Sequence, residues 1–299
     1  MRIADLKPCT GAVSFLSTVE RGSWLSPHWI LTEVRISLPR QRRQIISEGH
    51  TMSSYKIHPI VMGTKVFDKG MMTYQHDYGK PYTIPIYCWY LEGGDKKILV
   101  DTGEMRPIQS ADREKNIGGP IHTFESGLAR WGLKPEDIDL VIHTHLHADH
   151  CENDYKCVNA RFYIHALELA AIHNPHPLDF RYVEDYILEI EGAGQIETVT
   201  GDREIVPGIA VLHTPAHTPG GLTVLVDTAL GRAAITGFCV IRENFEPPPA
   251  VRAMELEVIP PGTNTNPYAA YDMMIKVRDL ADILLPLHEP AFAAVDTIG

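Results

Sequence analysis

The stretch HTHLHADHC, residues 143–151, sets four histidines and an aspartate within eight consecutive positions. Such a run is costly to bury, since polar groups lose water unless they gain partners, and it adds little to a core. On a helix, residues two apart face nearly opposite sides. His145, His147, Asp149 and His150 therefore converge only from a tight loop. The preceding PEDIDLVIH reads as entry into a buried strand whose carboxyl end aims them inward. Loops on a rigid sheet edge are favoured places for chemistry. Imidazoles with a carboxylate suit zinc, manganese, iron or cobalt, and the donor set alone does not choose among them. A lone histidine is more often a satisfied core or surface residue, and His28, His50, His58, His76, His122 and His176 are read that way.

Four neighbouring residues do not complete two metals, so distant partners are needed. HTPAHTPGG offers His213 and His217, and LPLHEP offers His288. Each sits at the carboxyl end of a strand reading, where open α/β sheets place their ligands, and each has a proline within two residues, which favours a turn.

Around these points the chain alternates. TIPIYCWYLEGG and KKILVDTG read as adjacent strands, FESGLARWGL (124–133) as a short helix, and RFYIHALELAAIHN as a strand passing into a helix. IAVLHTP, GLTVLVDT and GRAAITGFCVI form a second run of strands, followed by a helix at PYAAYDMMIKVRDLA and a last strand at DILLPLHEP. Two groups of strands interleaved with helices predict an α/β sandwich. Residues 1–52 look unlike the rest and are read as an amino-terminal extension, flexible or a start-site artefact, ahead of a domain at 53–299. A net charge of -11 argues against a nucleic-acid surface. No apolar run reaches membrane-spanning length and no signal-peptide core opens the chain, so the cytoplasm is the expected setting. Five cysteines without a dense framework read as reduced thiols, Cys151 and Cys157 among them as structural ones.

The series DTG at 101–103, THLHADH, HTPAHTPGG and PLHEP resembles the metallo-β-lactamase superfamily, defined by H-x-H-x-D-H, over residues 55–290. YKIHPIVMG, IPIYCWYLEGGDKKILVDTG and RENFEP are similar in wording and order to its N-acyl-homoserine lactonase branch. The resemblance implies an αββα sandwich with a dinuclear site at one edge. One metal is then held by His145, His147 and His217, and the other by Asp149, His150 and His288. Asp101 orients a ligand histidine, as carboxylates around metal sites do; by itself DTG is equally a turn. His143 and His213 fall outside the motif. The implied activity is hydrolysis of a small cyclic ester, a lactone, by hydroxide formed from a water acidified between two divalent ions. Asp149 serves as ligand and takes or relays the proton. A lactam or cyclic imide is the alternative substrate, and a degenerate, non-catalytic binding protein the alternative class. The partner is a small cyclic molecule, and the branch's common dimers imply a homodimer.

The chain departs from that pattern in AAITGFCVIRENFEP, where the lactonases carry a bridging aspartate and, shortly after, a tyrosine. No aspartate occurs between Asp227 and Asp272. Anchoring on ENFE puts Gly237 in the aspartate's place, and anchoring on the strand end puts Cys239 there. GFC resembles the GGC strand end of some zinc β-lactamases, so Cys239 is a candidate thiolate ligand that restores the missing charge and favours zinc; as a bland alternative it is a small buried hydrophobe. Arg242 reads as a surface charge rather than a carboxylate receptor. GMMTYQHDYGKPY (70–82) reads either as a loop over an apolar substrate or as packing beneath a sheet.

Overall fold

The computed structural model describes residues 54–299. The expected extension at 1–52 lies outside them, as do Cys9, His28 and His50. Among the described residues eleven strands form two sheets. The first holds, in order, β1 (Lys56–Asp68), β2 (Pro81–Glu92), β3 (Ile98–Val100), β4 (Leu140–Ile142), β5 (Arg161–His165) and β6 (Ile196–Val199). β1 to β3 are antiparallel neighbours and β3 to β6 run parallel. The second holds β7 (Arg203–Val206), β8 (Ile209–His213), β9 (Leu222–Thr228), β10 (Gly231–Ile235) and β11 (Ile283–Leu285), with β11 parallel to β10 at one edge.

Strand alternation builds the layers. In β2, Tyr87, Trp89 and Leu91 face the second sheet, while Cys88 and Tyr90 face outward onto helices. Ile98 and Val100 point inward and Leu99 outward for the same reason. Val211, Leu222, Val224, Val226 and Ile235 complete the central layer from the second sheet. Each such side chain, fully buried, contributes about 1.5–3 kcal/mol. Helices Phe124–Ala129, Ala166–His173 and Asp185–Gly192 cover the first sheet through Phe124, Leu128, Ile172, Ile187 and Ile190. Helix Pro267–Leu280 covers the second through Ala270, Met274 and Val277. The expected αββα sandwich is the fold, and among the described residues no helix is long and apolar enough to cross a membrane.

Local differences from the sequence reading have physical causes. The helix expected over 124–133 stops at Ala129, because the chain turns and Gly132 adopts φ 70°. The segment YKIHPIVMG enters the first strand at Lys56. The segment 70–82 is a turn-rich connection that does two jobs: Met72 is fully buried, and Tyr78 is exposed.

β2 pairs with β3 only at residues 89–91, so the β1–β2 hairpin runs on beyond the carboxyl end of β3. That end is where the histidine loops emerge. Leu222 N–H donates to Thr144 O at 2.8 Å, a backbone bond that ties the two sheets together there.

Candidate metal centre

Six of the expected ligands gather where β4, β8 and β11 end. The loop after β4 carries His145 and His147, and the short helix Ala148–Cys151 carries Asp149 and His150. His217 follows β8 and His288 follows β11. All five histidines are at most 3% exposed. Donor atoms of His145, His147 and His217 lie within 4.8 Å of one another. The His145 and His150 rings are 4.1 Å apart, the His150 and His288 rings 5.4 Å, and Asp149 Oδ1 lies 3.9 Å from His150 Nε2.

Each imidazole has its outer nitrogen committed elsewhere. His217 Nδ1 donates to Thr263 O at 2.7 Å and His288 Nδ1 to Pro85 O at 3.0 Å, and a carbonyl only accepts. His150 Nδ1 donates to Asp101 Oδ2 at 2.8 Å, and His147 Nε2 to Asp179 Oδ2 at 3.2 Å. Thr144 Oγ1 spends its proton on Asp101 at 2.7 Å, so at 3.0 Å it accepts from His145 Nδ1. The inward nitrogens are therefore lone pairs. His147 Nδ1 and His217 Nε2 face each other at 3.1 Å. Two acceptors that close repel unless a cation lies between them, and two ligands of a tetrahedral zinc at about 2.0–2.1 Å stand roughly 3.4 Å apart. The residues fit a divalent cation.

Electrostatics agree with that role. Burial first, then the neighbouring imidazoles, holds His145 and His217 well below the ordinary histidine range. Burial also lowers His147, although Asp179 opposes it. Neutral rings are the ligating form. Burial works against charge on His150, yet Asp101 and Asp149 outweigh it and raise the ring. The Asp101 carboxyl, against its own burial, is held at about 2 by His150 and His143. Asp149 is lowered as well, because His150, His288 and Lys65 overcome its desolvation.

Residues around the ligands build this geometry, and among them Glu168 is one that sequence reasoning passed over. Asp101 takes φ 58°, so it is both the turn-former and the carboxylate partner of His150. His143 is turned away from the cluster, with Nε2 2.9 Å from Asp154 Oδ2 and its ring stacked on Phe162. Glu168, 1% exposed, accepts from Leu146 N at 3.0 Å, Gly220 N at 3.0 Å and the Tyr182 hydroxyl at 2.7 Å. It thus clamps the loop of His145 and His147 to the loop after His217. His213 bonds Pro219 O and stacks on His165.

Cys239 is 7% exposed and packs with Met72, Ile84, Ile86 and Ile241, its Sγ 4.0 Å from Met72 Sδ. It belongs to neither of the two compact donor groups among the described residues. The second of those groups, His76, Asp77 and Glu243, already holds an ammonium, since Lys69 Nζ bonds both carboxylates. Arg242 is exposed. An open cleft of about 670 Å³ is lined by Lys65, Glu104, Met105, Arg106, Ile108 and Tyr186, among others, and Lys65 and Glu104 in its wall interact electrostatically with Asp149.

Comparison with known proteins accords with this geometry. The sequence profile of the metallo-beta-lactamase superfamily matches residues 82–278. An N-acyl homoserine lactonase of Bacillus thuringiensis subsp. kurstaki is 29% identical over 213 residues, 65% of this chain and 80% of that protein. A second N-acyl homoserine lactonase, from Agrobacterium fabrum, is 24% identical over 184 residues, 55% of this chain and 67% of its own length. A solved N-acyl homoserine lactone hydrolase, with N-hexanoyl-L-homoserine bound at its catalytic metal centre, superposes with a TM-score of 0.62 at 24% identity, covering 80% of this chain and 94% of that one. Sheet order, ligand loops and profile converge: the chain belongs to the metallo-beta-lactamase superfamily and within it resembles the N-acyl homoserine lactonase branch.

Proposed function

We propose that this protein is a metal-dependent hydrolase that opens a small cyclic ester, a lactone. The observation that carries the reading is the pair of facing lone pairs on His147 and His217, 3.1 Å apart in a buried, neutral group of histidines. His145, His147 and His217 would hold one divalent cation, and Asp149, His150 and His288 a second, with zinc the first choice and manganese, iron or cobalt the alternatives. Cys239 remains the candidate seventh donor. When bound, such ions acidify a water and polarise a carbonyl oxygen at neutral pH.

The chain's own residues do the rest. Asp101 and Thr144 hold His150 and His145 in their ligating tautomers. Asp149, whose carboxyl is lowered and whose side chain is 20% exposed, accepts the proton of the attacking water. The open cleft is within the size range of small-molecule sites and takes the part of the substrate that does not react. The relatives' lactonase activity supports the ester over the amide.

The test is ring opening of a panel of lactones, lactams and cyclic imides, followed by acid release from zinc-loaded and chelated protein. Lactone turnover that vanishes with the chelator is expected. Turnover of lactams or imides alone would move the substrate, and no turnover of any would leave a binding protein. A cobalt-loaded sample tests Cys239 directly, since a thiolate ligand gives a sulfur-to-cobalt charge-transfer band that Cys239→Ser removes.

A further inference from the structure

We infer that the open cleft receives an acidic arm of the substrate: the preferred lactone carries a carboxylate at the end of a hydrocarbon side chain, and Arg106 is the residue that selects it. The inference rests on the lactone-hydrolase reading above for the reacting ring, and names the substrate class for that site.

The cleft is tied to the segment that carries Asp149. Asp149 lies in the short helix Ala148–Cys151, and Glu152, which caps that helix, accepts from Met105 N at 2.8 Å. Met105 and Glu152 both line the cleft. From β1, Lys65 bonds Glu104 at 2.5 Å, and its charge helps to hold the Asp149 carboxyl down. A side chain on a ring that reacts at Asp149 enters the cleft along this wall.

The lining is unusual in charge. On a chain of net charge -11 it sets three cations, Lys65, Arg106 and Arg113, against two acids, Glu104 and Glu152. Both acids are engaged, Glu104 by Lys65 and Glu152 by the Met105 N–H. Arg113 is anchored through Nη1, which donates to Thr64 O and Thr64 Oγ1 at 2.9 Å each. Arg106 has no such commitment. It is exposed and makes no hydrogen bond or ion pair among the described residues. Its planar guanidinium therefore offers a full fork of N–H donors, which matches a carboxylate bidentately.

The apolar part of the lining decides what the anion is attached to. Val66 and Ile108 are 54% and 56% exposed and face one cleft together with Met105. A hydrocarbon arm laid over them removes apolar surface from water. An arm without a terminal charge would draw water away from Arg106 and give no anion in return, which is unfavourable. Hydrocarbon with an acidic end satisfies both.

The zinc-loaded full chain is tested by binding and by turnover. Octanedioate and its monomethyl ester each offer one carboxylate to a metal, so the difference between them isolates the second. Octanedioate is expected to bind about 5-fold more tightly, the upper range for an exposed ion pair, and the preference should shrink as salt rises. Arg106→Ala should bring the two probes to parity. A lactone with a carboxylate-ended arm is expected to show a KM about 5-fold below that of its methyl ester at equal kcat, because an arm bound alike in ground and transition states moves KM alone. Arg106→Glu should reverse that order. Both variants are expected to fold, since the Arg106 side chain is exposed and anchors nothing. Equal binding of the two probes by the wild type would overturn the inference, as would a preference that survives Arg106→Ala. Lactone turnover with no gain from the acidic arm also overturns it and leaves the hydrolase reading intact. A probe preference that needs Arg106, beside no turnover of any lactone, sinks the lactone and upholds the acidic-arm cleft.

Discussion

At the residue scale, ligands announce themselves where the chain spends polarity without a structural return. Four histidines and an aspartate in eight positions make no sense along one strand or one helix, so the turn and its chemistry were readable. Only His145 and His147 lie in a loop, however, and the chain enters a short helix at Ala148 that carries Asp149 and His150. Glu168 gives no such signal. It lies in ALELAA, an ordinary helix by composition, and only the folded chain brings Leu146, Tyr182 and Gly220 to it from three directions. Its carboxylate accepts all three donors, and an amide in its place turns one N–H toward another. Glu168→Gln is therefore expected to cost about 1–3 kcal/mol, read by chemical denaturation, and to speed metal loss to a chelator because the clamp joins the loops of His147 and His217. Unchanged stability and unchanged metal retention would show that the clamp does not position the histidines.

At the scale of elements, long strands such as β1 and β2 were legible, and so were short apolar ones such as β3, β4 and β11, but short half-polar ones were not. IETV and REIV, which become β6 and β7, are half polar because they lie at sheet edges with one side near solvent. The connection between β1 and β2 was ambiguous because it both packs and projects. Asn244 holds it from below by donating to Met72 O and Ile259 O, and Lys69 bonds Asp77 and Glu243 from above. Hydrogen bonds from Lys69 and Lys80 hold the Asp77 carboxyl at about 2, below its ordinary 3.8. A depressed carboxyl contributes stability fully present above about 3.8 and lost as pH falls through about 2. Asp77→Asn is accordingly expected to melt below the wild type at pH 7, with the two curves converging toward pH 2. The same change should speed hydrogen exchange in residues 69–80 at neutral pH. A melting gap that persists undiminished at pH 2 would mean that Asp77 acts through shape rather than charge.

At the scale of the whole molecule, the ordered motif series gave the superfamily, but not how the two sheets meet around the centre. His145, His147, Asp149 and His150 come from the first sheet, and His217 and His288 from the second. Beyond the shared core, the direct links at that edge include the bond from Leu222 N to Thr144 O, the Glu168 clamp on Gly220 N, and the bond from His288 Nδ1 to Pro85 O. A cation shared by His147 and His217 is thus a staple between sheets, and without it two lone pairs face each other at 3.1 Å. Binding to the native state alone stabilises it by about 4 kcal/mol when free metal is a thousandfold above its dissociation constant. For a domain of this size that is roughly 10 °C in melting temperature. Chelation should lower the melting point by about that amount, and zinc should restore it. His217→Ala should melt at the chelated temperature whether or not zinc is present, because the staple has lost its second-sheet end. If chelated and zinc-loaded wild type melt together, the core alone joins the sheets and the histidines bind their cation without bracing the fold.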